Sequence, residues 1–151
     1  LYNLALNGAE GKYGFLDIID EYKGTKAANL ANYSVGMAYL NMQKYQDAIT
    51  YLEKFSSDDA ILGALAKGGI GDAFMQLNQP KDALGYYEKA ISHSTNDYTT
   101  PRFLYKAGVT ALELKQNDKA LEHFQKIKDE FPSSEEARSV DAFIGMAKGG
   151  E

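Results

Sequence analysis

Three times in this chain a glycine stands twelve residues ahead of an alanine: Gly36 before Ala48, Gly71 before Ala83, and Gly108 before Ala120. An aliphatic residue follows each alanine (Ile49, Leu84, Leu121), and a large apolar one sits four positions beyond it (Leu52, Tyr87, Phe124). The register recurs after 35 and then 37 residues. Self-similarity at that period marks stacked helix pairs, because one pair cannot bury its apolar face alone. Each glycine falls in mid-helix, where it costs about 1 kcal/mol relative to alanine. A cost repeated at one register predicts close approach of the two helices of a pair. Ala48, Ala83 and Ala120 are the small residues expected to face the glycines.

The central pair is the clearest. Ile61, Leu65, Ile70, Phe74 and Leu77 recur at helical spacing, predicting a helix from Asp58 to Asn78 with Ser57 or Asp58 as its cap. Asn78-Gln79-Pro80 ends it, since proline restricts the residue before it. Pro80 opens a second helix to about Ser92, with Ala83, Leu84, Tyr87, Ala90 and Ile91 inward. The same plan predicts helices near 28–42 and 45–56, then near 101–115 and 117–131. Thr100 is expected to cap the first of the last pair ahead of Pro101, and Asn117 or Asp118 the second.

The ends extend the pattern. Phe15–Tyr22 aligns with Phe124–Phe131 at an offset of 109 residues, about three repeats. Residues 1–23 therefore read as the second helix of a partial N-terminal repeat, interrupted by a flexible insertion at Asn7–Gly14 after a short segment at Tyr2–Leu6. Its first helix is expected upstream of Leu1. Full repeats fall at 28–56, 58–92 and 100–131. Ser133 with Glu136 forms the pattern of a capping box for a final helix over 134–148, with Ala137, Val140, Ile144 and Ala147 inward and Gly149-Gly150 as its stop. The fold class is all-α: a right-handed superhelix of half a repeat, three helix pairs and a capping helix, in one domain over 1–151.

Several functions are disfavoured by what the chain contains. Sixteen Lys and Arg face 21 Asp and Glu, interleaved and without a basic stripe, so nucleic acid is not an expected partner. There is no Cys, which removes disulfides and thiolate chemistry. Gly68-Gly69-Ile70-Gly71 lacks the Lys-Ser/Thr ending of a phosphate loop. His93 and His123 are 30 residues apart with no metal-ligand spacing. Asn32-Tyr33-Ser34 matches a glycosylation sequon but lies in a packed helix and is discounted. No catalytic set or cofactor motif is present, and we expect neither an enzyme nor a cofactor. No apolar run is long enough to span a bilayer. The chain starts without methionine or a leader and reads as a fragment or mature piece, so an anchor is expected, if anywhere, upstream of Leu1.

Taken together, these positions resemble the tetratricopeptide repeat family. That family carries a small residue at repeat position 8 (Gly36, Gly71, Gly108) and a bulky one at 11 (Tyr39, Phe74, with Ala111 departing). Alanine stands at 20 (Ala48, Ala83, Ala120) and an aromatic at 24 (Tyr87, Phe124, with Leu52 departing). Position 27 keeps its alanine only as Ala90, position 32 its proline only as Pro132, and the frequent tryptophan at position 4 is missing. Asp20-Glu21-Tyr22, Gly24-Thr25-Lys26-Ala27 and Phe131–Ala137 look like bacterial cell-envelope members, most of all the Bacteroidetes group similar to YfgM, the ancillary Sec-translocon subunit. That narrower likeness implies a periplasmic domain, or one on the periplasmic side of the inner membrane; the cytoplasm stays open.

The family likeness implies a concave groove that holds a protein or peptide. Its register projects Tyr33, Met37, Leu40 and Asn41 from one pair and Asp72, Met75 and Gln76 from the next. Arg102, Tyr105, Lys106, Val109 and Glu113 follow from the third. These side chains either face a partner or pack against neighbouring helices and the terminal cap. A carboxylate clamp of the chaperone-binding relatives is incomplete: Arg102 and Lys106 match, whereas Tyr33, Met37 and Gly69 stand at other clamp positions. The loop at 92–100 is a second candidate surface, though a tolerated insertion reads as the simpler account. We expect a non-catalytic protein-binding module; the other reading is a homo-oligomerisation unit that buries an apolar edge near Phe15, Ile18 and Ile19.

Overall fold

The computed structural model of the chain describes residues 1–149, and all regular structure within them is helical. The stop expected at Gly149-Gly150 lies partly outside the described residues. Two compact units divide the chain after Asp58.

The first unit holds α1 (Tyr2–Asn7), α2 (Phe15–Glu21), α3 (Lys26–Asn41) and α4 (Tyr45–Lys54). Helices α3 and α4 are the expected pair. Leu6, Val35 and Ala38 form its buried centre, with Phe15, Leu16, Ile19, Tyr39 and Tyr51 packed around them. The insertion is pinched shut. Gly8 has φ of 74°, and a Cβ on it would meet the Lys12 carbonyl oxygen and the Gly14 backbone. Gly14 N–H also donates to Asp17 Oδ2 at 2.8 Å, holding the start of α2. The apolar edge expected at Phe15, Ile18 and Ile19 is instead half-buried. The exposed large apolar side chains of this unit are Leu1, Tyr2, Leu4, Tyr13, Tyr22 and Leu30.

The second unit holds α5 (Ala60–Gln76), α6 (Pro80–His93), α7 (Thr100–Glu113), α8 (Asn117–Glu130) and α9 (Val140–Lys148). One apolar cluster runs through it from Ala64 to Ala147. The end of the chain differs from the expected single helix. A 3-10 turn at Glu136–Arg138 precedes α9, because Ser134 Oγ accepts from Ala137 N–H at 3.2 Å and the Ser133–Glu136 box does not form. Helix α9 still covers α8: Phe143 stacks on Phe124 with centroids 5.3 Å apart, and Val140 and Ile144 are buried.

Each repeated glycine has a different partner from the one its spacing suggested. A Cβ on Gly36 would lie 2.5 Å from Leu52 Cγ, one on Gly71 2.6 Å from the Tyr87 ring, and one on Gly108 2.6 Å from the Phe124 ring. The nearest neighbour is thus the bulky residue one turn beyond the alanine. Ala48, Ala83 and Ala120 are fully buried, and the close approach of paired helices stands, but the glycine's own role is to seat a large side chain. Gly68 does the same for Phe103 of α7, so the four-residue glycine run is a packing feature of α5.

The turn inside each pair also repeats. Gln43, Asn78 and Lys115 are left-handed, with φ of 60°, 57° and 59°. The following N–H returns to the carbonyl five residues back: Lys44 to Tyr39 at 2.9 Å, Gln79 to Phe74 at 2.9 Å, Gln116 to Ala111 at 2.8 Å. This is the Schellman arrangement, which satisfies carbonyls left free at a helix end. The helix caps move by a residue from those expected. Asp59, not Ser57 or Asp58, accepts from Ile61 and Leu62 N–H. Thr99, not Thr100, precedes α7. Gln116 precedes α8 with no side-chain cap, so Asn117 and Asp118 do not serve. No described helix is long and apolar enough to cross a membrane.

Candidate protein-binding surface

The groove candidates of the first unit all lie on α3. Tyr33 and Met37 are half-buried, Leu40 likewise, and Asn41 is exposed. The Tyr33 ring leans on Phe55 at 5.1 Å, and Asn41 Nδ2 donates back to the Met37 carbonyl at 2.9 Å. The surface is therefore an apolar strip of Tyr, Met and Leu ending in one amide.

The candidates of the second unit are brought together across α5 and α7. Lys106 Nζ lies 2.6 Å from Asp72 Oδ1. Tyr87 OH donates to the same oxygen at 2.7 Å. Burial, and then the Asp72 carboxylate, hold the Tyr87 phenol well above its ordinary value, so it remains a donor. Thr110 Oγ1 reaches Met75 Sδ at 3.7 Å. Met75, Tyr105 and Val109 pack on the core edge, and Tyr105 meets Phe143 of α9 edge-on at 5.4 Å. Tyr105 thus packs on the terminal helix along one edge and also lines the cavity beside Arg102. Gln76, Arg102 and Glu113 are exposed.

This geometry leaves Lys106 committed. A cation already 2.6 Å from a carboxylate is a poor hold for a second one, which argues against a chaperone-type clamp. Arg102 is exposed, and no carboxylate pairs with it among the described residues; its guanidinium lies over the Phe103 ring at 5.7 Å. It lines a cavity of about 310 Å³ with Tyr105, Lys106, Glu135, Glu136 and Ser139. The last three were missed by sequence reading, which ran one helix through 134–148. The signal was present: Glu135–Ser139 offers only Ala137 as an apolar residue, too little to hold a helical turn against a core.

The 92–100 loop is a polar knot. Asn96 Oδ1 accepts from Tyr98 and Thr99 N–H, and its Nδ2 donates to Ser94 Oγ and Thr99 Oγ1. His93 Nε2 donates to the Asp59 carbonyl at 2.9 Å, leaving Nδ1 to face Lys67 Nζ at 3.5 Å. A Cβ on Gly63 would strike the His93 ring. The extra residues thus close the amino end of α5; of their large side chains only Tyr98 stands out, 82% exposed. His123 belongs to another network, on α8, with Nε2 3.5 Å from Glu88 Oε1 and no sound hydrogen bond. Burial pushes its pKa down against the opposing pull of Glu88.

Residues 33–98 and 69–135 both match the family model described as Tetratricopeptide repeat. The chain belongs to the tetratricopeptide repeat family. Tetratricopeptide repeats are in general non-catalytic modules that bind proteins. Among solved structures this tetratricopeptide chain is similar to the crystal structure of MamA protein, with a TM-score of 0.64 and 24% identity. The match covers 90% of this chain and 80% of that one; at such identity it shows the fold alone. No curated protein matches the sequence.

Proposed function

We propose that this chain is a non-catalytic module that holds a protein or peptide partner on the first helices of its repeats, within a bacterial envelope secretion or assembly complex. The observation that carries the reading is the exposed face of α7. There Arg102 opens onto a cavity of about 310 Å³ walled by Tyr105 and the acidic 3-10 turn. A cation, an aromatic and two carboxylates at one cavity suit a polar peptide segment more than a small apolar ligand. The envelope setting, and attachment through an anchor encoded before Leu1, rest on the likeness to YfgM-type proteins. Fractionation of cells making the whole gene product tests that part: recovery with the cytoplasm removes it.

The binding surface is tested with the purified chain as bait in envelope extract. Arg102→Glu and Gln76→Glu alter exposed side chains and should leave thermal unfolding unchanged. Wild type is expected to retain a protein that both variants lose. Equal retention by all three, or retention of nothing, contradicts the reading.

A second reading has its own observation. Leu1, Tyr2, Leu4, Tyr13, Tyr22 and Leu30 are exposed in the first unit, apolar surface of the kind that association buries. A second copy could cover it. Light scattering across a concentration series decides: a strict monomer at high concentration removes this reading.

A further inference from the structure

The central repeat carries polar groups at two positions where its neighbours carry none. The residue after each repeated glycine is Met37, Asp72 or Val109, and the side chain seated on that glycine is Leu52, Tyr87 or Phe124. Only the central pair puts a carboxylate at the first place and a hydroxyl at the second. The two choices answer each other. Tyr87 is 2% exposed, and its ring fills the Gly71 seat as Phe124 fills that of Gly108. Its hydroxyl adds one thing, a bond donated to Asp72 Oδ1 at 2.7 Å. A buried hydroxyl costs free energy unless it is bonded, so ring packing alone would be served as well by phenylalanine.

That bond fixes a carboxylate against a cation. Lys106 Nζ, from α7, lies 2.6 Å from the same Asp72 oxygen, and the two side chains are 29% and 27% exposed. A pair this recessed is screened less than a surface one. Tyr87 also removes side-chain freedom, which usually weakens such pairs. Lys106 stands one helical turn from Arg102, and both line the cavity of about 310 Å³. Residues four apart share a helix face. Without Asp72 that face would offer two cations to one carboxylate, a strong charge-assisted grip. With Asp72 in place it offers Arg102 alone, in a cavity that Glu135 and Glu136 also line. Counting Asp72, three acids then face two bases around this cavity. Lys106 keeps further N–H donors for uncharged carbonyls.

We propose that Asp72 is the specificity-determining residue of the α7 surface, with Tyr87 as its positioning residue. By neutralising Lys106, Asp72 turns away the terminal carboxylate of a chain, so the partner is held by an internal segment. This rests on the reading that the α7 face binds a peptide, and it specifies which part of one.

The test is an amide NMR titration of the full chain with N-acetyl-trialanine and with its C-terminal amide, which differ only in the charge at the end. On wild type both should shift residues around Arg102 and Ser139, with affinities within about twofold of each other. Asp72→Asn keeps the shape and an acceptor for Tyr87 but removes the charge. It should bind the acid about tenfold tighter than the amide. Adding Lys106→Gln to that variant should abolish the preference, which ties the gain to the released cation. Tyr87→Phe keeps the ring in its seat and should give part of the preference. Wild type already preferring the acid about tenfold, Asp72→Asn without a preference, or a preference that survives Lys106→Gln would each overturn the proposal while leaving peptide binding on α7 intact. A Tyr87→Phe variant equal to wild type would overturn the positioning role. Shifts by neither peptide in any variant would remove the binding reading itself, and the proposal with it.

Discussion

At the scale of single residues, two glycines in similar helices should respond oppositely to alanine. A Cβ on Gly108 would lie 2.6 Å from the Phe124 ring, whereas one on Gly85 of α6 would meet nothing within 4 Å. Gly108→Ala overpacks a seat and should lose about 1–3 kcal/mol in urea unfolding. Gly85→Ala should gain about 1 kcal/mol from helix propensity alone. His123 gives a pH signature. Its folded pKa lies below the ordinary 6.5, so the unfolded chain binds the proton more readily. Stability is full above about 6.5 and falls as pH drops toward the folded value. His123→Gln should remove that part of the slope, read from melting temperatures across the range. The spacing showed which residues were structural but misassigned the glycine's partner. Gly–Ala and Gly–aromatic pairs share one periodicity, and only the depth of the packed side chain tells them apart.

Helix boundaries follow from backbone groups needing partners, and at this scale the sequence was legible for existence and vague for ends. The three pairs, their order and Pro80 at a helix start were readable from periodicity and proline chemistry. The caps were not. Ser57, Asp58 and Asp59 are chemically near-equivalent, and only the accepted bonds from Ile61 and Leu62 select Asp59. Asp59→Ala should therefore cost about 1 kcal/mol, while Asn117→Ala, which removes no cap, should be close to neutral in the same thermal assay. The Schellman turns were invisible because Gln43 and Lys115 carry no glycine signal. A left-handed non-glycine costs roughly 1–2 kcal/mol. Lys115→Gly should therefore raise stability, by somewhat less than that, since glycine also frees the unfolded chain. The site was legible only in part. Arg102, Tyr105 and Lys106 do line one cavity, but its far wall came from a 3-10 turn read as helix.

For the molecule as a whole, the account rests on one packing rule applied three times, on α3 with α4, α5 with α6, and α7 with α8. Repetition is what builds the fold: in each pair the second helix supplies the large side chain that seats on the glycine of the first. The direct test is a set of double-mutant cycles by urea unfolding, pairing Gly36→Ala with Leu52→Val, Gly71→Ala with Tyr87→Val, and Gly108→Ala with Phe124→Val. Shrinking the seated side chain should relieve the penalty of the added methyl, giving coupling of about 0.5–3 kcal/mol with the same sign in all three pairs. Additive penalties in each cycle would contradict the account.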